Sequence, residues 1–269
     1  MDARRDAFVK FKPKWFKDGQ LAMIIGKKGT GKTTLLLDLC YRLRHCPEVT
    51  LFQKTLETNP AFHDIIPALF SYNSWRKDVI RTIIERQKKE NKKRMREKRP
   101  PRYHTIIIDD LACDDSFCRD PILGELFMNA RWLKINVLFT MQYSLKITPD
   151  LRNNIDWVFI LKEIMPNNRD RLFNHFCGQF GDKKYFGKVL ERMTDNRGCM
   201  VMNNTGLSNK LTENFYYYKA TPRNFNEDPS LPQWKMGSRA YWAFHYRHYN
   251  KHWDSSTDDD SDQMIIVQK

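Results

Sequence analysis

Residues 23–40 read MIIGKKGTGKTTLLLDLC, and the spacing of four residues in this stretch limits the fold more than any other feature of the chain. Gly26, Gly31, Lys32 and Thr33 fit the pattern G-x-x-x-x-G-K-[ST]. In this pattern a glycine-rich turn closes its backbone N–H groups around phosphate, and the helix that follows points its positive end at the same anion. The sequence therefore predicts a phosphate-binding loop between a strand and a helix.

The segments on both sides of the turn have the composition that such a loop requires. The apolar run LAMII at 21–25 predicts a buried strand, and an amphipathic helix is predicted from about Gly31 onward. The buried side of this helix is expected to carry Leu35, Leu36, Leu39 and Leu43. A glycine-rich turn that matched the pattern by chance would lack these flanks, so the context favours a nucleotide site.

ATP and Mg²⁺ are the cofactors expected at this loop. The Lys32 side chain would reach the β- and γ-phosphates, and the Thr33 hydroxyl would ligate Mg²⁺. The residues expected to contact the nucleotide are Gly26, Lys27, Lys28, Gly29, Thr30, Gly31, Lys32, Thr33 and Thr34.

Two carboxylates end a second buried run, YHTIIIDD at 103–110. Asp109 is placed to hold Mg²⁺ through water, and Asp110 to polarise the water that attacks the γ-phosphate. Asp114 and Asp115 lie close in the sequence and are alternatives for the second role. An acidic turn after a strand is common by itself, but together with the upstream loop this pair indicates hydrolysis.

Gln142 ends a further buried run, INVLFTMQ at 135–142. A glutamine at this position can contact the γ-phosphate or the attacking water, because its amide both donates and accepts hydrogen bonds. The alternative is a surface glutamine at a strand end. We expect Gln142 to act with Asp110 in catalysis.

Apolar runs alternate with helical patterns along most of the chain. Further strands are predicted at 49–54, 156–161 and 198–204, and helices at 74–98, 121–133, 167–177 and 182–193. Continuous apolar strands separated by helices predict an α/β fold whose sheet is mainly parallel and covered by helices on both faces.

The regular pattern ends near residue 218, which predicts two regions. The first is a P-loop domain at 1–218, with a core at about 21–204 and a basic helical insertion at about 74–102. The second is a C-terminal extension at 219–269, aromatic-rich and then acidic, whose last part is expected to be disordered. The aromatic stretch at 241–253 could stack on bases, dock on the domain or bind a partner.

Charge favours a polyanionic partner. The 269-residue chain has a formal net charge of +14, which is typical of nucleic-acid binding but also occurs in merely soluble basic proteins. Residues 86–102 alone contain ten basic side chains against two acidic ones. Because like charges at i and i+4 disfavour an isolated helix, we expect this run to become ordered with an anion.

The basic run is predicted to contact the phosphates of double-stranded DNA without reading its sequence, since it contains no interleaved aromatic residues. Its alternatives are a solvated helix face and a nuclear-localisation patch. The expected contacts are Lys88, Lys89, Lys92, Lys93, Arg94 and Arg96.

No secretory signal and no membrane-spanning run is visible in the sequence. The six cysteines form no C-x-x-C pair, which favours reduced, mostly buried thiols and a cytosolic or nuclear compartment. Cys113 and Cys118 flank the expected active-site loop but lack partners for a zinc site.

Three stretches together resemble the FtsK/HerA-type ATPases: GKKGTGKTTL, TIIIDDLACDD and NVLFTMQYSLKITPDLRNNIDWVFIL. More narrowly, they resemble the DNA-packaging ATPases of large DNA viruses, the poxvirus type and its relatives, over roughly residues 21–204. The narrower likeness depends on the order of an Asp-Asp pair, a Thr-x-Gln strand end and an LRNN-D-hydrophobic segment. In this branch Asp110 stands where the wider family has a catalytic glutamate.

The resemblance implies a RecA-like fold and a homo-oligomeric ring that pumps double-stranded DNA during viral genome packaging. It further implies capsid or portal proteins as partners, no membrane, and a location in the host cytoplasm or nucleus, in the viral factory or the virion. An arginine from the neighbouring subunit would complete each site. Arg152 is the candidate for this arginine, and Arg131, Arg169 and Arg171 are its competitors.

Two other classes of function stay open from the sequence. One is a small-molecule kinase of the nucleoside type, and the other is a DNA-binding structural or regulatory protein with a vestigial nucleotide site. The intact loop and the Asp-Asp pair argue against decay of the site, and the Thr-x-Gln strand end favours hydrolysis over transfer. A packaging motor, a helicase and a conjugation-type pump share these residues.

Overall fold

The computed structural model describes residues 8–56, 59–111, 115–142 and 147–249, and one sheet organises them. Its strands are β1 (Leu21–Ile25), β2 (Glu48–Gln53), β3 (Ser71–Tyr72), β4 (His104–Asp109), β5 (Ile135–Met141), β6 (Trp157–Ile160), β7 (Cys199–Asn203) and β8 (Phe215–Tyr218). The six strands predicted from the sequence are all present, and each begins and ends within one residue of its expected bounds.

The eight strands lie in the order β3-β2-β4-β5-β1-β6-β7-β8. The first six in this order are parallel to their neighbours, while β7 and β8 pair antiparallel at the far edge. Because β1 lies between β5 and β6, the loop that follows it emerges near the middle of the sheet. The predicted α/β fold with a mainly parallel sheet is confirmed.

Helices lie in most connections between strands and after the last strand. They are α1 (Lys32–Arg42), α2 (Lys77–Arg96), α3 (Asp115–Cys118), α4 (Pro121–Leu133), α5 (Pro149–Asn153), α6 (Pro166–Leu172), α7 (Lys183–Met193), α8 (Leu211–Asn214) and α9 (Arg239–His248). The helix expected at 167–177 is divided, since α6 continues into a π-helical turn at Phe173–Cys177. The basic segment at 74–102 corresponds to the crossover from β3 to β4.

Apolar side chains cover both faces of the sheet. On one face, alternate residues of the strands pack against α2, α4, α6 and α7. On the other face, the remaining strand residues pack against α1 and against residues after β8. The four predicted leucines, three of them in α1 and Leu43 directly after it, are buried, and Leu37 is buried as well.

The basic helix α2 is ordered by the sheet as well as by its charges. Ile80, Ile83 and Ile84 are buried against the core. Arg86 pairs with Glu48 of β2, and Arg94 pairs with Glu90 one turn earlier. The buried apolar face and these acidic partners therefore stabilise the helix, while its further ordering by an anion stays a prediction.

Residues 219–249 pack on the α1 face of the sheet. Trp234 and Met236 belong to the core there. In α9, the Tyr241 ring stacks on Phe70 with 4.0 Å between ring centroids, and its hydroxyl donates a 2.8 Å hydrogen bond to the Val49 carbonyl. The described part of the aromatic stretch is thus docked on the domain, whereas residues 250–269, including the acidic stretch, lie outside the described residues.

Cys40, Cys46, Cys177 and Cys199 are buried free thiols, as expected, and Cys118 is buried too. Cys113 lies outside the described residues. Over the part of the chain that the structure covers, no helix has the length and apolarity needed to cross a membrane.

Candidate active site

The predicted phosphate loop follows β1 at the carboxyl edge of the sheet. The Gly26 N–H continues the β1–β5 pairing with a 3.1 Å hydrogen bond to the Met141 carbonyl. Gly29 and Gly31 then adopt φ angles of 81° and 101°, which glycine reaches without a steric penalty. The chain can therefore wrap its backbone around an anion before α1 begins.

Close packing at the base of the loop leaves no room for a side chain at Gly26. A Cβ atom there would lie 2.6 Å from the Thr30 Oγ1 atom and 2.9 Å from the Leu161 side chain. Lys32 folds back over the same turn, and its Nζ donates a 2.8 Å hydrogen bond to the Gly26 carbonyl. The first-turn N–H groups of α1 follow Gly31, which has no capping side chain, so this helix start is suited to a phosphate group.

A second lysine of the loop pairs with a residue that follows β6, the strand that flanks β1 on the side away from β5. Lys27 forms a 2.9 Å ion pair with Glu163, which follows β6. Glu163 also accepts hydrogen bonds from the Met165 N–H and the Asn168 amide. Burial would raise the pKa of Glu163, but these bonds and the Lys27 charge outweigh it and lower the pKa, so the pair is ionised.

Asp109, the last residue of β4, is held by one donor on each carboxylate oxygen. Thr140 Oγ1 donates to its Oδ1 at 2.6 Å, and Gln53 Nε2 donates to its Oδ2 at 2.8 Å. Only 4% of Asp109 is exposed. Burial raises its pKa, and the nearby charge of Asp110 adds to this, while the two hydrogen bonds and Lys32 oppose it.

Asp110 turns away from the strand and meets Gln142. Its φ angle of 57° lies in the left-handed region, and its N–H donates a 3.0 Å hydrogen bond to Thr140 Oγ1. The Gln142 amide nitrogen, after β5, lies 3.0 Å from both carboxylate oxygens of Asp110. The structure thus brings together the two side chains that the sequence assigned to catalysis.

These residues suit a hard divalent cation bound with a nucleotide. Asp109 offers a buried carboxylate, and Thr33 lies in the first turn of α1, after the phosphate loop. Gln53 adds a buried carbonyl oxygen, Oε1, that has no hydrogen-bond partner among the described residues. Mg²⁺ prefers oxygen ligands of these kinds and retains several waters, so the donor set fits the expected cofactor.

Of the other acidic candidates, Asp114 lies outside the described residues, as does the side chain of Asp115. Their suitability as alternatives to Asp110 therefore stays a prediction.

The candidate trans-acting arginine lies away from the loop of its own chain. Arg152 belongs to α5, just before β6, and its Nη1 donates a 3.4 Å hydrogen bond to the Ile147 carbonyl. The N–H of Asp156, at the same end of β6, donates to the carbonyl of Leu21 at the amino end of β1. Because β1 and β6 are parallel, this is the sheet edge opposite the phosphate loop.

Two competing arginines have partners inside the chain. Arg131 pairs with the buried carboxylate of Asp156. Arg169 pairs with Glu191 at 2.7 Å and donates to the Glu163 carbonyl. Arg171 is exposed on α6.

Two of the six predicted DNA contacts are engaged within the chain. Lys88 pairs with Glu125 at 3.1 Å, and Arg94 pairs with Glu90 and donates to the Pro100 carbonyl. The other four are exposed, share one side of α2 at positions i, i+3, i+4 and i+7, and line one open depression together with Glu97: Lys89, Lys92, Lys93 and Arg96.

Gln53 and Thr140 were not among the site residues predicted from the sequence. Gln53 is the last residue of β2 and lies in register with Asp109. Thr140 precedes Gln142 by two residues, and side chains two apart on a strand share a face. The rule that identified Gln142, a polar residue at the carboxyl end of a buried strand, would have identified both.

Several proteins of large DNA viruses are similar to this chain. Protein 015R of Frog virus 3, which is uncharacterized, is 30% identical over 227 residues, covering 84% of this chain and 67% of that protein. The uncharacterized protein L437 of Acanthamoeba polyphaga mimivirus is 29% identical over 233 residues, covering 85% of this chain and 79% of that protein. No protein-family model matches the chain.

Solved structures share the fold at low sequence identity. The genome-packaging NTPase B204 from Sulfolobus turreted icosahedral virus 2, in complex with AMPPCP, has a TM-score of 0.52 and 10% identity, covering 78% of this chain and 99% of that chain. The conjugation coupling protein TcpA of pCW3, with ATPγS, has a TM-score of 0.53 and 12% identity, covering 82% and 71%. The chain therefore belongs to the family of large-DNA-virus proteins that includes protein 015R of Frog virus 3, and it shares its fold with the NTPase B204 and the coupling protein TcpA.

Proposed function

We propose that this protein is an ATP-hydrolysing motor that moves double-stranded DNA, most specifically during the packaging of a viral genome into a capsid. The observation that carries the proposal is the meeting of Asp110 and Gln142 at the carboxyl edge of the sheet beside the phosphate loop. An amide that holds a carboxylate at this position suits the orientation of an attacking water, which favours hydrolysis over phosphate transfer and over a vestigial site.

Each residue has a distinct part in the hydrolysis that we propose. Asp110 accepts the proton of the attacking water, and Gln142 fixes the orientation of its carboxylate through the amide N–H. A positioned base of this kind contributes about 10²- to 10⁴-fold to a rate. Lys32 contacts the β- and γ-phosphates, and Mg²⁺, held by Thr33 and Asp109, supplies further charge neutralisation when bound.

Double-stranded DNA is the partner that the charge of the chain best supports. The exposed row of Lys89, Lys92, Lys93 and Arg96 on α2 presents four cations on one helix side. Such a row binds phosphates in any sequence, as a translocating motor requires. The relatives come from large DNA viruses, and B204, a neighbour by fold, is described as a genome-packaging NTPase.

We further propose that the subunits form a ring, with Arg152 of one subunit acting on the nucleotide of the next. The position of Arg152 at the sheet edge opposite its own loop supports action on a neighbour rather than in its own site. Capsid or portal proteins are the partners that such a ring would engage.

The catalytic part of the proposal is tested by ATP turnover of the wild-type chain and of Lys32→Ala. Removal of the charge at the β- and γ-phosphates is expected to lower turnover by about 10²-fold or more, together with ATP affinity. Lys184→Ala, which changes an exposed lysine of α7, is the matched control and should turn over normally. Release of orthophosphate supports the motor, whereas phosphate transfer to a nucleoside would establish the kinase and contradict the proposal.

A further inference from the structure

Both oxygens of Asp109 are held by side chains from the two strands that flank β4. Thr140 on β5 holds Oδ1, and Gln53 on β2 holds Oδ2. Gln53 and Asp109 are partners in the register of the parallel β2–β4 pair, so their side chains leave the sheet at the same level. The orientation of Asp109 therefore depends on its neighbours on both sides.

Gln53 has an unused acceptor at this position. The residue is fully buried, and its Nε2 is directed to Asp109 while its Oε1 has no partner among the described residues. A buried acceptor without a hydrogen bond is unfavourable, and such atoms call for an explanation such as a water or an ion. A water bound to a cation beside Asp109 would donate to this oxygen.

Thr140 links the two aspartates through one hydroxyl. Its Oγ1 donates to Asp109 and accepts the N–H of Asp110, at 2.6 Å and 3.0 Å. A hydroxyl can do both at once because it has one proton and two lone pairs. The same group thus orients the carboxylate proposed to hold the cation and stabilises the left-handed turn at Asp110.

We infer that Gln53 and Thr140 are positioning residues for the divalent cation that accompanies the nucleotide. They fix the two oxygens of Asp109, and the Gln53 carbonyl oxygen accepts a hydrogen bond from a water on the cation. This inference rests on the proposed function, because it assumes that a metal–nucleotide complex binds at the phosphate loop. Outer partners of metal ligands typically change metal affinity by about 10- to 100-fold when they are mutated.

The test measures Mn²⁺ binding to the protein with AMPPCP, by the paramagnetic resonance signal of free Mn²⁺. Gln53→Met keeps the side-chain length and removes both amide atoms, and we expect it to weaken Mn²⁺ affinity about tenfold or more. Affinity for AMPPCP in excess EDTA should change by less than about twofold, since Gln53 has no predicted contact with the phosphates. Gln87→Met is the matched control, because Gln87 is equally buried but lies on α2.

A second pair of variants covers the case in which Gln53→Met does not fold. Thr140→Val removes the hydroxyl at nearly constant shape and should weaken Mn²⁺ binding, whereas Thr140→Ser should restore it. Thr105→Val, at a buried threonine of β4, controls for the loss of a hydroxyl from the sheet.

Equal Mn²⁺ affinity in wild type, Gln53→Met and Thr140→Val would overturn the inference while leaving the proposed function intact. Equal losses in the two control variants would also overturn it, by showing a general effect on the sheet. If the wild-type protein fails to bind Mn²⁺ with AMPPCP at all, both the inference and the proposed function are wrong.

Discussion

Two neighbouring aspartates point in different directions because of one backbone angle. Asp109 keeps strand geometry and points toward Thr140 and Gln53, while the φ angle of 57° at Asp110 turns its side chain toward Gln142. Aspartate tolerates this left-handed region better than most residues, since its short polar side chain forms local hydrogen bonds. The turn separates a carboxylate suited to a cation from one suited to a water.

This separation predicts the behaviour of Asp110→Asn. The substitution keeps the shape and removes the negative charge, so ATP should bind with normal affinity while turnover falls by about 10²-fold or more, the usual effect of losing a positioned base. Equilibrium binding of ATP and steady-state turnover measure the two effects separately. Loss of binding as well would mean that Asp110 holds the cation or the turn rather than the water.

Site residues could be predicted where one short sequence pattern contains them. Residues that come together only because distant strands pair were harder to predict. The loop pattern places Lys32 and Thr33 within a few residues of each other. Gln53 and Thr140 converge on Asp109 only through the register of β2, β4 and β5. Pairing between strands that are distant in sequence is not visible in a single chain, so their convergence could not be predicted.

At the scale of elements, an ion cluster around the buried Glu48 carboxylate attaches α2 to the sheet. Glu48 at the start of β2 pairs with Arg86 of α2 and, at 3.0 Å, with Arg102 before β4. The ring nitrogen Nδ1 of His104 donates to Glu48 at 3.1 Å, and Nε2 accepts from Thr50, a tautomer assigned because the ionised carboxylate can only accept. Burial lowers the pKa of His104, so the imidazole is neutral at pH 7.

The cluster predicts how stability depends on pH. Burial alone would raise the pKa of Glu48, but the His104 hydrogen bond and the two arginines lower it from 4.5 to about 2. A carboxyl with a depressed folded-state pKa stabilises the protein above its unfolded pKa, and this stabilisation is lost as the pH falls toward about 2. We expect Glu48→Gln to cost about 2 kcal/mol of unfolding free energy at pH 7.

Denaturant unfolding of wild type and Glu48→Gln at several pH values checks this expectation. The difference between them should shrink as the pH falls below 4.5, the ordinary pKa of the carboxyl. Glu125→Gln, which breaks the more exposed pair with Lys88, should cost less than about 1 kcal/mol. A Glu48→Gln effect that stays constant with pH would show that the carboxylate charge is unimportant.

The exposed side of α2 is the element that we expect to bind DNA. Changing Lys89, Lys92, Lys93 and Arg96 to glutamine should weaken duplex binding similarly for all sequences. The slope of log affinity against log salt should become shallower by about 0.9 for each DNA phosphate that the variant no longer binds. The matched control removes four exposed charges from α7: Lys183, Lys184, Lys188 and Arg192. The same change of slope in both variants would assign the effect to net charge rather than to α2.

Helices and strands with a strong apolar periodicity could be predicted with accurate bounds, whereas segments without it could not. The bounds of α4 at Pro121–Leu133 agree with the sequence to the residue. The ion pair that attaches α2 to the sheet was not expected, because its acidic partner Glu48 lies on a distant strand. For the whole molecule, the packing of residues 219–249 on the domain could not be predicted. Isolated side chains such as Trp234 and Met236 attach this segment to the core, and they leave no regular apolar pattern in the sequence.

For the proposed ring, the position of Arg152 leads us to expect that hydrolysis depends on neighbouring subunits. An arginine supplied in trans is worth about 10³- to 10⁵-fold in related NTPases. Arg152→Ala should therefore bind ATP normally and hydrolyse it poorly. Mixtures of Arg152→Ala with Lys32→Ala should regain activity, because some interfaces then pair an intact loop with an intact arginine.

Turnover against mixing ratio, at constant total protein, measures this complementation. Arg131→Ala in place of Arg152→Ala is the control, since Arg131 is paired with Asp156 inside the chain and should not complement. If Arg152→Ala and Lys32→Ala co-assemble on gel filtration but every mixture remains as inactive as its parents, Arg152 is not the trans-acting residue. Arg171, exposed on α6, would then be the next candidate.

The central claim is that ATP hydrolysis is coupled to double-stranded DNA. The measurement that tests it most directly is ATP turnover by the wild-type chain alone, with long duplex DNA, with single-stranded DNA and with small nucleosides. We predict strong stimulation by duplex DNA only, which is lost in the α2 variant and in Lys32→Ala. Turnover that duplex DNA leaves unchanged, or that only a nucleoside acceptor stimulates, would contradict the account.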